Sequence, residues 1–124
     1  MSHPYETSWN PPAPFVTINF RHPSGTGPTE SLRVLADSGG SMSAIPAVYC
    51  HRLGLTPLGR VKIAGFTGFT YMEQYLVELW IDTFPPIQVN DLSALSGQDG
   101  LVGRDVLNRY RVTHDGPNQR LEIA

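Results

Sequence analysis

Short runs of β-forming residues, separated by turn residues, dominate the hydrophobic and polar pattern of this chain. Phe15–Phe20 and Leu32–Ala36 have this pattern and predict two strands joined by a turn rich in glycine and proline. Val61–Ala64 and Tyr71–Ile81 predict a hairpin, and the tip between them, Gly65–Phe69, contains two glycines suited to tight turning. The first two-thirds of the chain therefore indicates antiparallel β-structure.

The remaining pattern adds further short strands and two brief helices. The further strands are predicted at Ile87–Val89, Leu101–Val102, Tyr110–Thr113 and Arg120–Ile123. Pro46 suits a first helical position and Gly54 a helix end, which predicts a helix over Ala47–Leu53, and Gly103–Arg109 predicts a second one. The sequence thus predicts an all-β domain over residues 15–124. Residues 1–14, with four prolines and little periodicity, predict a flexible N-terminal arm.

Composition narrows the classes of function. The chain has 124 residues and a net charge of -2, and its only lysine is Lys62, which argues against a nucleic-acid partner. No apolar run is long enough to span a membrane, so no membrane association is expected. The single cysteine, Cys50, is expected to be structural rather than nucleophilic, and with no leader pattern it favours a cytoplasmic location.

The segment Leu35–Ser41 places polar residues and glycines directly after an apolar strand. Taken alone, Asp37, Ser38 and Gly39 form a common turn sequence. The letters Asp-Ser-Gly-Gly also occur around the nucleophile of trypsin-like serine proteases. That interpretation fails here, because no Asp precedes the cluster to orient a histidine.

Three segments, in order, resemble the retropepsin family of aspartic proteases. Leu35–Pro46 is similar to the family's apolar-apolar-Asp-Thr/Ser-Gly box, Lys62–Phe69 with Gln74–Leu79 to its flap hairpin, and Gly100–Leu107 to its Gly-Arg-Asp/Asn box. The resemblance covers about Phe15 to the end of the sequence. It implies a retropepsin-like closed barrel with a flap hairpin and one or two short helices, active as a homodimer.

The resemblance also implies a role for each matching residue. The catalytic carboxylate would be Asp37, and Ser38 and Gly39 would support the catalytic dyad. The residues that would bind substrate are Gly39, Gly40, Gly65, Phe66, Thr67 and Gly68, and those that would support the active-site loop are Gly103, Arg104 and Asp105. Two departures stand out. Gly40 replaces the usual Ala and is expected to loosen the loop, and Ser41 replaces an Asp, so Arg104 needs another partner, either Asp105 or a carbonyl.

The chemistry expected is hydrolysis of peptide bonds by a water that an Asp dyad activates. One group must deprotonate the water and another must protonate the leaving nitrogen, and two carboxylates that share one proton can do both. The chain has one Asp-Ser-Gly, and Asp82 is interpreted as a turn residue at a strand end because Phe84 follows Thr83. The second carboxylate is therefore expected from a second copy of the chain.

Two alternatives stay open. One is a retropepsin-fold module that dimerises or binds a peptide without efficient cleavage, and the other is a plain β-sandwich. No metal, nucleotide or organic cofactor is expected, because the four histidines, His3, His22, His51 and His114, lie far apart in the sequence. The expected partners are a second copy and a peptide or protein substrate.

Overall fold

The computed structural model describes residues 1–65, 67–94 and 100–124. This part of the chain contains ten strands and two short helices, which confirms the prediction of an all-β fold. The strands are Ser2–Pro4 (β1), Phe15–Arg21 (β2), Glu30–Ala36 (β3), Ala44–Pro46 (β4), Pro57–Gly65 (β5), Gly68–Ile81 (β6), Ile87–Ala94 (β7), Leu101–Val102 (β8), Val112–Asp115 (β9) and Arg120–Ile123 (β10). The helices are Ala47–Arg52 (α1) and Arg104–Leu107 (α2). No helix in the described part of the chain has the length and apolar character needed to cross a bilayer.

Most strands form because apolar side chains alternate toward one interior. In β2, Val16, Ile18 and Phe20 are fully buried while the residues between them are partly exposed. β6 repeats this alternation in its second half, from Tyr75 to Ile81. The main core is formed by side chains of both strands together with residues of β3, β7, β8, α1, α2 and β10.

Seven strands form one sheet in the order β2-β3-β8-β4-β7-β6-β5, and β2 also pairs with β6 over Ile18–Arg21. The sheet therefore curls back toward its own first strand. The prediction of a closed barrel is nevertheless wrong. β4 meets β8 through a single residue pair, Ala44 and Leu101, so the continuous ladder that would close a barrel is interrupted there.

A second, three-stranded sheet has the order β1-β10-β9. The sequence predicts a flexible arm over residues 1–14, whereas the structure places β1 there, antiparallel to β10. The side chain of His3 is buried, and its Nε2 lies 2.9 Å from Oδ2 of Asp82 at the end of β6. Arg33 holds the same segment through the carbonyl oxygen of Pro4 and the carboxylate of Glu6. These contacts depend on residues distant in sequence, so local composition did not indicate them.

Candidate active site

Asp37 lies where β3 leaves the sheet. β3 and β8 are parallel, with Leu35 opposite Leu101 and Ala36 opposite Val102. The N–H of Asp37 donates to the carbonyl oxygen of Val102 at 2.9 Å, which extends this ladder by one residue. The backbone of Asp37 is thus fixed by the buried strand pair, while its side chain is partly exposed.

The two glycines after Ser38 shape the surroundings of the Asp37 carboxylate. The N–H of Gly39 donates to Oδ1 at 3.0 Å, and among the described residues none hydrogen-bonds to Oδ2. A methyl group at position 39 would lie 3.2 Å from Oδ1, and one at position 40 would lie 3.3 Å from Oδ2. Both contacts are close, so the glycines leave one carboxylate oxygen open to an incoming group.

The loop around Gly40 is held on both sides. The N–H of Gly40 donates to the carbonyl oxygen of Asp37 at 3.1 Å, and the carbonyl oxygen of Gly40 accepts from the N–H of Arg104 at 2.8 Å. The sequence suggested that glycine at this position would loosen the loop. In the structure these two backbone bonds restrain it instead.

Arg104 finds its partner in a carbonyl group. Its Nη1 donates to the carbonyl oxygen of Ser38 at 2.9 Å, which is one of the two options that the sequence left open. The Ser38 side chain is exposed, and the structure gives its hydroxyl no hydrogen-bond partner within the described residues. The expected role of that hydroxyl, in bracing a dyad across an interface, stays a prediction.

Asp105 binds Ser43, a residue that the sequence analysis did not select. The Ser43 hydroxyl donates to Oδ1 of Asp105 at 2.7 Å, and the Ser43 N–H donates to Oδ2 at 3.0 Å. The same hydroxyl accepts from the N–H of Gly103 at 3.1 Å. Ser43 is only 1% exposed, so it joins α2 to the segment after Asp37 from inside the protein. The available signal was a serine directly before an apolar strand, which is too common to be informative.

Gly103 allows α2 to approach the Asp37 loop closely. A methyl group at this position would lie 2.8 Å from the carbonyl oxygen of Gly40 and 3.0 Å from backbone atoms of Met42. Backbone atoms cannot turn aside as a flexible side chain can, so only glycine fits without a shift. The supporting role of position 103 at an active site stays a prediction.

β5 and β6 form the predicted hairpin, and it is longer than expected because its pairing starts at Pro57 and Tyr75. Val61, Ile63 and Met72 lie on one face and pack against Ala44, in the strand that follows the Asp37 loop. The other members of this group, here called the hairpin cluster, are Met42, Ala44 and Leu101. The cluster packs the hairpin against β4 and β8, the strands next to the Asp37 loop.

The hairpin tip is narrow and exposed. Gly65 pairs with Gly68, and Gly68 has a φ of 129°, a conformation that favours glycine. Thr67 is exposed, while Phe66, which the sequence assigned to substrate binding, lies outside the described residues. On the outer face, Phe69 is 65% exposed, and the Nζ of Lys62 lies 4.0 Å from its ring centroid. The aromatic ring therefore packs on the hairpin itself.

Other residues that the sequence analysis considered lie elsewhere. Asp82 has a φ of 50° and accepts from His3, and the N–H of Phe84 donates to the carbonyl oxygen of Ile81, so Asp82 is a turn residue as predicted. Within the described ranges, no three residues among His, Cys, Asp and Glu are grouped closely enough to hold a metal ion.

The sequence was compared with known proteins, and neither a family model nor a curated protein matches it. The geometry around Asp37 and the three motif resemblances are therefore the basis for proposing a function. The arrangement offers a fixed, partly exposed carboxylate with one open oxygen, on a loop followed by a strand that packs against a long hairpin. Such a carboxylate can act as a general base or share a proton with a second acid.

Proposed function

We propose that this protein is an aspartic endopeptidase of the retropepsin type. Asp37 supplies one carboxylate, and a second copy of the chain, related by a two-fold axis, supplies the other. The pair activates a water for attack on a peptide carbonyl and returns a proton to the leaving nitrogen.

The proposal depends mainly on the hydrogen bonding of the Asp37 carboxylate. Its Oδ1 accepts from the N–H of Gly39, whereas Oδ2 lacks a hydrogen-bond partner among the described residues. A carboxylate used only to stabilise a turn has no need of an open oxygen flanked by two glycines. A dyad does need it, because the second carboxylate and the water must both approach.

The packing behind Asp37 supports the same proposal. Arg104 holds the carbonyl of Ser38, and Asp105 holds Ser43, so the loop is anchored at both ends to α2. Catalytic carboxylates must be held firmly, since small displacements from the productive geometry lower the rate steeply. The hairpin of β5 and β6 supports a peptide-binding role, because Val61, Ile63 and Met72 on one of its faces are apolar and only partly buried.

The decisive variant is Asp37→Asn. We expect cleavage of a diverse peptide library, mapped by mass spectrometry, to fall to background, because an amide cannot exchange the proton. The melting temperature should stay within a few degrees, since the side chain is partly exposed and asparagine can still accept from Gly39.

The matched control is Asp82→Asn, which removes the other Asp-Thr/Ser carboxylate in the chain. Asparagine tolerates the left-handed backbone of position 82, so this variant should fold and cleave normally. Substantial cleavage by purified Asp37→Asn would refute the catalytic role. Binding of peptides without cleavage by the wild type would favour the alternative of a peptide-binding module.

A further inference from the structure

A cavity of about 330 Å³ lies beside the hairpin cluster, between the sheet of β6 and β7, the segment after Asp37, and α2. Its volume is at the lower end of the range for small-ligand pockets. Most of its lining is polar, and the residues that matter here are Met42, Gln74, Gln88, Asn90, Asp105 and Arg109.

The cavity continues the candidate peptide site. Met42 belongs both to the hairpin cluster and to the cavity wall. Gln74 lies on β6 two residues after Met72, and side chains at this spacing share one face of a strand. An extended peptide that lies against the hairpin cluster would therefore reach the cavity a few residues away from the bond nearest Asp37.

Several polar side chains of the cavity are exposed to solvent and have donors that no other protein group binds. In the described part of the chain, the carboxamides of Gln74, Gln88 and Asn90 and the guanidinium of Arg109 make no side-chain hydrogen bond or ion pair. Each carboxamide offers two N–H groups and the guanidinium offers five.

Asp105 does not supply the missing acceptor. Its carboxylate already accepts from the N–H and hydroxyl of Ser43 and from the N–H of Val106. These three donors occupy most of its lone pairs and stabilise its negative charge without cancelling it. The cavity therefore has more free donors than acceptors.

We infer that the cavity binds the carboxylate of an acidic residue in the peptide, several residues from the scissile bond, with Arg109 as its charged partner. This inference rests on the proposed function, because the peptide brings the carboxylate. A guanidinium can bind a carboxylate through two parallel hydrogen bonds, and the carboxamides add neutral donors around it. A lysine in the same position would face Arg109 and find few acceptors.

The test uses fluorescein-labelled ten-residue peptides with an apolar centre and Glu, Gln or Lys at each outer position. Their binding to Asp37→Asn, which should not cleave them, is measured by fluorescence anisotropy. At one outer position we expect Glu to bind about two- to fivefold more tightly than Gln, as an exposed charge pair would give. Lys should bind more weakly than Gln.

Reversing the charge of Arg109 provides a stricter test. Arg109→Glu should invert the order, so that Lys binds more tightly than Glu at that position. Arg120→Glu, at an exposed position of β10, changes the net charge equally and should leave the order unchanged. Equal binding of Glu and Gln at every position, or a Glu preference that survives Arg109→Glu, would overturn the inference while the proposed function stands.

A small probe separates the inference from the proposed function. N-acetylglutamate should shift the NMR signals of the side-chain amides of Gln74, Gln88 and Asn90, whereas N-acetylglutamine amide, which has no carboxylate, should shift them less. If no peptide binds or is cleaved but N-acetylglutamate produces these shifts, the carboxylate site stands and the proposed function fails. If the probe produces no such shifts and no peptide prefers Glu, the carboxylate site is refuted.

Discussion

Replacing Ser43 with alanine should destabilise the protein far more than the loss of one hydroxyl would on its surface. The variant loses a 2.7 Å hydrogen bond to the Asp105 carboxylate and leaves the buried N–H of Gly103 without its acceptor. A bond to a charged group contributes about 1.5–3 kcal/mol, and a buried unsatisfied donor costs about 1–3 kcal/mol. Asp105 is partly exposed and keeps two other donors, so the low end applies to the first contribution. We expect a total loss of about 2.5–4.5 kcal/mol in the free energy of unfolding.

Urea denaturation followed by fluorescence measures this loss as a shift in midpoint at constant slope. The matched control is Ser31→Ala, whose hydroxyl also donates over 2.7 Å, to Asn19, but lies on the surface. The free energy of unfolding of the control should fall by less than about 0.5 kcal/mol. In an Asp105→Ala background, the effect of Ser43→Ala should shrink, because the two side chains act as a unit. Equal small losses for Ser43→Ala and Ser31→Ala would refute the anchoring role of this network.

Three further predictions follow from single positions. Gly103→Ala should lower the free energy of unfolding by about 1–3 kcal/mol, because its methyl would lie 2.8 Å from the Gly40 carbonyl oxygen. It should also lower kcat by more than the loss of folded protein explains. An unchanged melting temperature and an unchanged kcat would contradict this prediction. Gly68→Val should lower the melting temperature, because the φ of Gly68 is 129° and a valine there would strain the backbone. Gly65→Val should lower the melting temperature much less. Equal losses in melting temperature for the two variants would refute this prediction. Burial raises the pKa of Tyr110, so the wild type should lose stability relative to Tyr110→Phe as pH rises past about 10, where the unfolded tyrosine ionises. Urea midpoints at pH 8 and pH 11 measure this difference, and a difference independent of pH would contradict it.

The sequence predicted the elements formed by local patterns. The strands Leu101–Val102 and Arg120–Ile123 have the predicted bounds, and α1 ends one residue earlier than expected. The hairpin was predicted too short, because exposed residues such as Arg60 interrupt its apolar pattern, yet still pair across the strands.

What the sequence did not indicate depends on contacts between distant residues. β1 forms because β10 offers it an edge and Asp82 accepts from His3, 79 positions away. Ser43 is important because it meets Asp105, 62 positions away. Local propensity does not reveal such pairs. The position of Asp37 could be anticipated, because an apolar strand followed by glycines fixes a polar residue at the end of a sheet.

Mixing wild-type chains with Asp37→Asn chains tests the central claim most directly. Both chains are unfolded together in denaturant and refolded at a series of ratios and a fixed total concentration, and peptide cleavage is measured per wild-type chain. If each active site needs one Asp37 from each of two copies, this specific activity falls in proportion to the wild-type fraction, because mixed dimers are inactive. A specific activity that stays constant as Asp37→Asn chains are added would show that one chain suffices, and would contradict the account.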